Sequence, residues 1–367
     1  MSSPRSYMGI GLMSGTSLDG IDLAACTFEE GPDGWRFHLD VAETVPYDEK
    51  WYARLRCLDE QDAVAYAKTH VYFGHHLGRV VADFIARHGL QPEFVASHGQ
   101  TIFHQPGKNF TAQIGDGETM ASYLPCPLVT NFRNKDVAMG GQGAPLVPFG
   151  ERLLFPGHRL FLNLGGIANL SFGDLAFDVC PCNMALNWLA LQADEPQPYD
   201  ADGRIARAGK SNPELMAALE ALDYYTQRPP KSLGMEWYSH HMLPLLSNAE
   251  ISVPDRMATM VIHIARQVAA AAKQVGAQGQ PILITGGGAH NTTLMAVLDI
   301  ILGRVEIHPV AISKEVIDYK EALIFAFLGL QTLLGRPNAL ASVTGAKMDV
   351  CGGSIHLPAG GWQKSLL

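Results

Sequence analysis

Cysteine is scarce in this chain: Cys26, Cys57, Cys126, Cys180, Cys182 and Cys351 are the six in 367 residues. That scarcity excludes a disulfide-built scaffold. Only Cys180-Pro181-Cys182 brings two thiols close in sequence, and no second ligand pair lies at zinc spacing, so buried or packing thiols are the better reading. Positive charge is also short, with 27 Lys and Arg against 36 Asp and Glu and a formal net charge of -9. Nucleic acid and anionic membrane are therefore poor candidates for the main partner, since both reward net positive patches. A nucleotide stays open, because Mg²⁺ and backbone amides can meet its charge. No apolar run approaches the roughly 20 residues that span a bilayer. The polar start Met1-Ser2-Ser3-Pro4-Arg5-Ser6 has no signal-peptide character, so the expectation is a cytoplasmic protein with reduced thiols. Two familiar nucleotide signatures are missing: Gly-x-x-x-x-Gly-Lys-Ser/Thr, and a Gly-x-Gly-x-x-Gly run opening a helix early in a βαβ unit.

What is present is an ordinary globular composition, 47% hydrophobic and 17% charged, at a length that suits about two domains. Strands are expected over 94–101, 126–132, 281–285 and 304–308, each a short apolar run ending at polar residues or glycine. Helices are expected from Asp62 to His88, capped by Gly89, from Asp255 to Gly276, and from Lys320 to Leu334. Alternating strands and helices make an α/β protein with mixed sheets. The boundary between halves is placed at Phe155-Pro156-Gly157-His158. The domains are then 1–157 and 158–345, with an insertion near 199–232 and the tail 346–367 packing back on the first domain.

One kind of turn occurs twice. Gly15-Thr16-Ser17-Leu18-Asp19-Gly20-Ile21-Asp22 follows the apolar run 7–13, and Gly165-Gly166-Ile167-Ala168-Asn169 follows Leu160-Phe161-Leu162-Asn163-Leu164. Each reads as strand, small polar turn, strand. Glycine lets backbone N–H groups and hydroxyls close on phosphate, and a nearby carboxylate such as Asp22 suits Mg²⁺, often through water. Taken alone, Asp19-Gly20 reads equally well as a plain hairpin turn. A third glycine site, Gly286-Gly287-Gly288, precedes Asn291 or Thr292 as a helix N-cap and would let an adenosine lie against backbone. Tight strand–helix packing would explain one of those glycines, hardly three.

Asp178 is expected at the end of the strand after the second turn, where a carboxylate can take a proton from a nucleophile. An isolated Asp there is otherwise a cap or turn residue. Ser97, His98 and Gln100 end a strand with polar groups converging. The loop from Arg133 to Leu146, with Asp136 and Gln142, mixes charge with small residues and suits an anionic or hydroxyl-rich ligand, or else is a solvated loop. For His98 and His104, a hydrogen-bonded structural role is favoured over ligation.

Together these segments closely resemble the anhydro-N-acetylmuramic acid kinase family of the actin/hexokinase/heat-shock-70 ATPase superfamily. The resemblance runs from Gly11 to Gly345 and is carried by Met13 to Gly20 with Asp22, Ser97 to Thr101, Gln113 to Gly115, Phe132-Arg133 with Asp136 to Ala138, and Gly140 to Leu146. It continues through Asn163 to Asn169, Lys231-Ser232 with Gly234, Gly286 to Ala289 with Asn291, Glu321-Ala322, and Val343 to Gly345. It implies a two-domain, duplicated ribonuclease-H-like (actin-like ATPase) fold with ATP and Mg²⁺ in an interdomain cleft, and a cytoplasmic homodimer that recycles cell-wall sugar. ATP contacts are implied along Gly15 to Asp22 and at Asn163, Gly165, Gly166, Asn169, Gly286, Gly287, Gly288 and Asn291. Sugar contacts are expected at Ser97, His98, Gln100, Arg133, Asp136 and Gln142, with Asp178 as base and Glu321 as second carboxylate. A buried Glu321 would cost several kcal/mol unless paired, which favours a role over chance. The family follows the base with Gly-Pro-Gly-Asn, where this chain has Cys180-Pro181-Cys182-Asn183; a thiol there is expected to narrow the space for phosphate or sugar. A kinase for a different sugar, or a non-catalytic ATP-binding regulator, are the competing readings. A sensor would have no need of a base.

Overall fold

The first strand pairs with its chain neighbour on one side and with a strand some 80 residues later on the other, and that arrangement recurs in the second half. The computed structural model describes residues 5–15 and 18–361. The chain divides into two compact units: the segment up to Pro156 together with the segment from Tyr319 onward, and Gly157–Asp318.

In the first unit, β1 (Arg5–Ser14), β2 (Gly20–Gly31) and β3 (Gly34–Pro46) form an antiparallel meander. β4 (Phe94–Gln105) lies parallel to β1, β5 (Phe110–Ile114) folds back on β4, and β6 (Leu128–Thr130) is parallel to β4. In the second unit, β7 (Leu160–Leu164), β8 (Ile167–Phe172) and β9 (Leu175–Pro181) repeat the meander. β10 (Pro281–Thr285) is parallel to β7, and β11 (His308–Pro309) is parallel to β10. β12 (Ser354–His356) then closes the edge of the first sheet against β6. The first sheet thus runs β3, β2, β1, β4, β6 and the second β9, β8, β7, β10, β11, and this is the duplicated ribonuclease-H-like topology.

Apolar periodicity builds the layers. The helix Ala63–His88 starts where the Asp62 side chain accepts from Ala65 N–H, and stops at Gly89, whose φ of 61° few residues other than glycine adopt. Its buried stripe of Phe73, Leu77, Val81 and Phe84 packs with Ile10, Leu12, Ile21 and Leu23 of the sheet. Each fully buried Phe or Leu contributes about 1.5–3 kcal/mol. In the second unit the helices Val253–Gln274 and Thr292–Gly303 cover the sheet, joining Val261, Ile264 and Val268 to Leu160, Leu162, Leu294 and Leu298 in one core.

Three expectations shift. The helix expected from Lys320 begins at Lys314, because Ser313 opens it, its Oγ accepting from Val316 N–H and its carbonyl from Ile317 N–H. The return to the first unit comes at Tyr319, not at 346. Gly11 lies so close to Ala322 that a Cβ would meet its carbonyl oxygen, and Gly150 is similarly tight against Ile324. The strand expected over 304–308 shrinks to His308–Pro309, since 304–307 turn out of the preceding helix. Residues 199–232 form short helical turns within the second unit.

Candidate active site

In the second unit a polar row crosses four strands at one level. Thr285 pairs with Asn163, Asn163 with Asn169, and Asn169 with Asp178. Paired residues share a face, and on β7 the flanking Leu162 and Leu164 are buried while Asn163 is partly open. A bulge between Ala168 and Asn169 leaves Val179 as the extra residue of β9. It lets Asp178 join the row. Asp178 is accordingly the fourth residue of a seven-residue strand, not its last.

The Asp178 carboxyl is held by one backbone donor, Leu233 N–H, 2.9 Å from Oδ2. Burial pushes its pKa above the ordinary carboxylate value, and the Leu233 hydrogen bond pulls the other way. Its main chain is also fixed. Asp178 N–H donates to Lys231 O at 3.1 Å and Tyr224 Oη donates to Asp178 O at 2.6 Å.

The two cysteines just beyond do not line this face. Cys180 and Cys182 are wholly buried in the core of the second unit and both are free thiols. Burial raises the Cys180 thiol far above its usual range and the Cys182 thiol to about 12. The expected narrowing of the ligand space by a thiol is therefore corrected, because the side chains turn inward and pack. No group of three or more His, Cys, Asp or Glu suited to a metal occurs among the described residues.

The turn after β7 is tied down from the far end of β9. Cys182 N–H and Met184 N–H both donate to Gly166 O, at 2.8 and 3.1 Å, and Asn183 N–H donates to Gly165 O at 3.1 Å. Asn183 Nδ2 adds a bond to Leu164 O at 2.8 Å. At the third glycine site, packing explains more than expected. Gly286 has φ 86° and a Cβ there would sit 2.6 Å from Asn163 Oδ1, while one on Gly288 would meet Leu164 Cβ at 2.7 Å. Only Gly287 is left without a close neighbour, its nearest atom being Asn183 Nδ2 at 3.7 Å. Asn291 is the N-cap, its Oδ1 accepting from Leu294 N–H at 3.0 Å.

In the first unit the turn after β1 runs from Gly15 to Asp19; Thr16 and Ser17 lie outside the described residues. Leu18 takes a positive φ of 56° and donates its N–H to Gly15 O. Gly20 is enclosed, since a Cβ would lie 2.6 Å from Val45 O, and Ile21 is buried. Asp19 is exposed, whereas Asp22 is partly buried and its Oδ1 accepts from Thr44 Oγ1 at 2.6 Å. Beneath this turn Tyr47 bonds Ser14, which donates to Gln100 Oε1, so buried Gln100 anchors the end of β1.

Ser97 and His98 are buried with it. Arg133 Nε, which can only donate, lies 3.0 Å from His98 Nε2, so His98 is neutral with its proton on Nδ1, donated to Gly99 O at 2.8 Å. Burial and the Arg133 charge hold its pKa well below the usual value. Arg133 itself falls to about 10 through burial, against the pull of Glu321 and Asp136. Asp136 is completely enclosed: one oxygen accepts from Gly143 N–H at 2.7 Å and the other from Thr344 Oγ1 at 2.6 Å. Its side chain thus shapes the 139–146 loop from beneath, while Gln142 is exposed on that loop. Glu321 is partly buried, with a pKa raised by burial and by Glu151 and lowered by Lys320 and Arg133. Lys320 and Glu151 form a buried ion pair at 2.6 Å.

Tyr47, Tyr224 and the Leu233 N–H have no counterpart in the sequence reading. Tyr224 lies inside a segment read as an insertion, and the only hint was its nearness to Lys231-Ser232.

The family model for anhydro-N-acetylmuramic acid kinase matches residues 7–358. Proteins of that name are similar along almost their whole length. The one from Paramagnetospirillum magneticum is 37% identical over 96% of this chain and 100% of its own. Those from Methylobacterium nodulans and Vibrio cholerae are 35% and 34% identical over 95% of this chain and 99% and 98% of theirs. Among solved structures, the activator of the 2-hydroxyisocaproyl-CoA dehydratase from Clostridium difficile aligns at a TM-score of 0.42 and 14% identity, covering 88% of this chain and 94% of that one. The chain belongs to the anhydro-N-acetylmuramic acid kinase family.

Proposed function

We propose that this protein opens the 1,6-anhydro ring of 1,6-anhydro-N-acetylmuramic acid with water and transfers the γ-phosphoryl group of ATP to O6, giving N-acetylmuramic acid 6-phosphate. The observation that carries this reading is Asp178, a carboxylate with a raised pKa, set in the Asn163–Asn169 row beside a glycine hairpin turn. Asp178 takes a proton from water as the water oxygen bonds to the anomeric carbon and the C1–O6 bond breaks. O6 accepts the phosphoryl group where an inverting glycosidase would protonate its leaving group with a second acid. One carboxylate base is then enough, and Glu321 is assigned to orienting water or sugar.

Gly15 to Asp22 in the first unit, and Asn163, Gly165, Gly166 and Asn169 in the second, are assigned to phosphate. Gly286 to Gly288 and Asn291 are assigned to the nucleoside. Ser97, His98, Gln100, Arg133 and Gln142 are assigned to sugar binding, directly or by holding one another, with Asp136 supporting the loop. Mg²⁺ favours one or two carboxylates completed by phosphate and water. Asp22, already oriented by Thr44, fits that donor set, and a bound ion would offset phosphate charge. The same reading makes the protein a cytoplasmic homodimer in cell-wall sugar recycling. Incubation with ATP, Mg²⁺ and 1,6-anhydro-N-acetylmuramic acid should yield ADP and a 6-phosphosugar. Tight ATP binding without sugar-dependent ADP release would overturn it.

A further inference from the structure

β9 is the edge strand of its sheet, so the outward N–H and C=O of Asp178 have no ladder partner. Both are met from the segment expected to be an insertion. Lys231 O takes the N–H at 3.1 Å, and Tyr224 Oη donates to the C=O at 2.6 Å. Leu233, two residues after Lys231, supplies the N–H that binds the carboxyl at 2.9 Å. Tyr224 also holds Lys231: the ammonium lies 4.3 Å from its ring centroid and donates to its carbonyl at 3.0 Å. Tyr224 is buried, and Tyr225 and Trp237 pack their rings against it. The hydrogen bonds therefore close a ring from Asp178 through Tyr224, Lys231 and Leu233 back to the Asp178 carboxyl.

We propose that Tyr224 is the positioning residue for Asp178, fastening the Lys231–Leu233 strap to β9 and so aiming the carboxyl. The proposal rests on reading Asp178 as the base. A buried aromatic at 224 would need no hydroxyl to fill its space; the hydroxyl is what meets the orphan carbonyl of the reacting residue. Without it, Tyr224 keeps its cation–π contact with Lys231 but loses its bond to Asp178 O, so the strap meets β9 only through Lys231 O and Leu233 N–H, and the Leu233 donor loosens.

The test is steady-state kinetics of the full chain with ATP, Mg²⁺ and 1,6-anhydro-N-acetylmuramic acid. Tyr224→Phe is expected to lower kcat about tenfold with both KM values within about twofold of wild type, the pattern of a loss felt only in the transition state. Lys231→Met, which slackens the same strap from its other end, is expected to lower kcat in the same sense but less. A wild-type kcat in Tyr224→Phe, or a change in KM alone, would overturn the proposal. Should Tyr224→Phe not fold, Lys231→Met decides, and a wild-type kcat there overturns it too. Asp178→Asn runs in parallel: if that variant is active, the base reading and this proposal fall together. If it is inactive while Tyr224→Phe is fully active, only the positioning role falls.

Discussion

Asn169 and Asp178 face each other directly across β8 and β9, with Asn163 opposite Asn169 one strand further in. An amide beside a carboxylate can hold it without neutralising it, so Asp178 is free to change its proton count. Asp178→Asn keeps the shape and removes the proposed base, and kcat should fall by at least ~10³-fold. As the proposed base, Asp178 must be ionised in the wild type, and burial raises its pKa. The acid limb of kcat should therefore lie above the ordinary carboxylate range, with activity lost as pH falls through it. A pH–rate profile checks both, and a limb at the ordinary aspartate value would refute the buried-base account.

The same shift has a stability consequence of opposite sign to activity. A carboxyl whose folded pKa is raised favours folding only while protonated. That stabilisation is present below its unfolded pKa and is lost as pH rises through the folded one. At neutral pH, keeping Asp178 charged thus weakens the fold. Asp178→Asn should melt higher than wild type at pH 7, and the gap should close as pH drops below the unfolded aspartate value. Thermal melts of the two proteins across that range decide the matter; a lower Tm for the variant at pH 7 would count against it.

Much of this was legible in the sequence because local chemistry and fold agree. Asp62, Gly89 and the apolar stripe of one helix announce its ends and its face, and the glycine turns sit where strand pairs must reverse. What stayed hidden was non-local. The bulge that aligns Asp178 with Asn169 depends on pairing between strands, and no residue type marks it. The sequence places Cys180 and Cys182 against the ligand because strand alternation alone does not say which face is the core. Tyr224 met the same difficulty: its partner is a main-chain carbonyl, and the sequence gives no sign of which carbonyls lie on a sheet edge.

Several histidines held neutral set the acid stability, His98 and His263 buried and the others more open. His70, His76, His98, His104 and His263 all have pKa values lowered from 6.5, each chiefly by burial. His263 is the extreme, at about 3, with Nε2 bonded to Tyr225 Oη at 2.9 Å and Nδ1 without a partner among the described residues. A histidine with a depressed folded pKa stabilises above its unfolded value, and that contribution drains away as pH falls below 6.5. Chemical denaturation between pH 7 and about 5, above most carboxylate titration, should show stability falling. His263→Gln should make that fall shallower. A variant whose slope parallels the wild type would show that His263 is not held neutral.

The glycines separate into two kinds that a single substitution can tell apart. At Gly286 and Gly288 an added Cβ runs into protein, at 2.6 Å from Asn163 Oδ1 and 2.7 Å from Leu164 Cβ, and Gly286 also has a positive φ. Alanine there should cost about 1–3 kcal/mol through overpacking. At Gly166 and Gly287 the nearest atoms are Met184 Cε at 3.9 Å and Asn183 Nδ2 at 3.7 Å, ordinary contact distances. Protein packing gives no reason for glycine at those two positions, whereas the proposed nucleotide site supplies one, close approach of the ligand to backbone. Gly166→Ala and Gly287→Ala should therefore fold with wild-type Tm yet bind ATP more weakly, seen as a raised KM for ATP or a smaller ATP-induced Tm shift. Unaltered ATP binding in both would remove these turns from the nucleotide site, whereas a fall in Tm without ligand would mean that their glycines serve the fold.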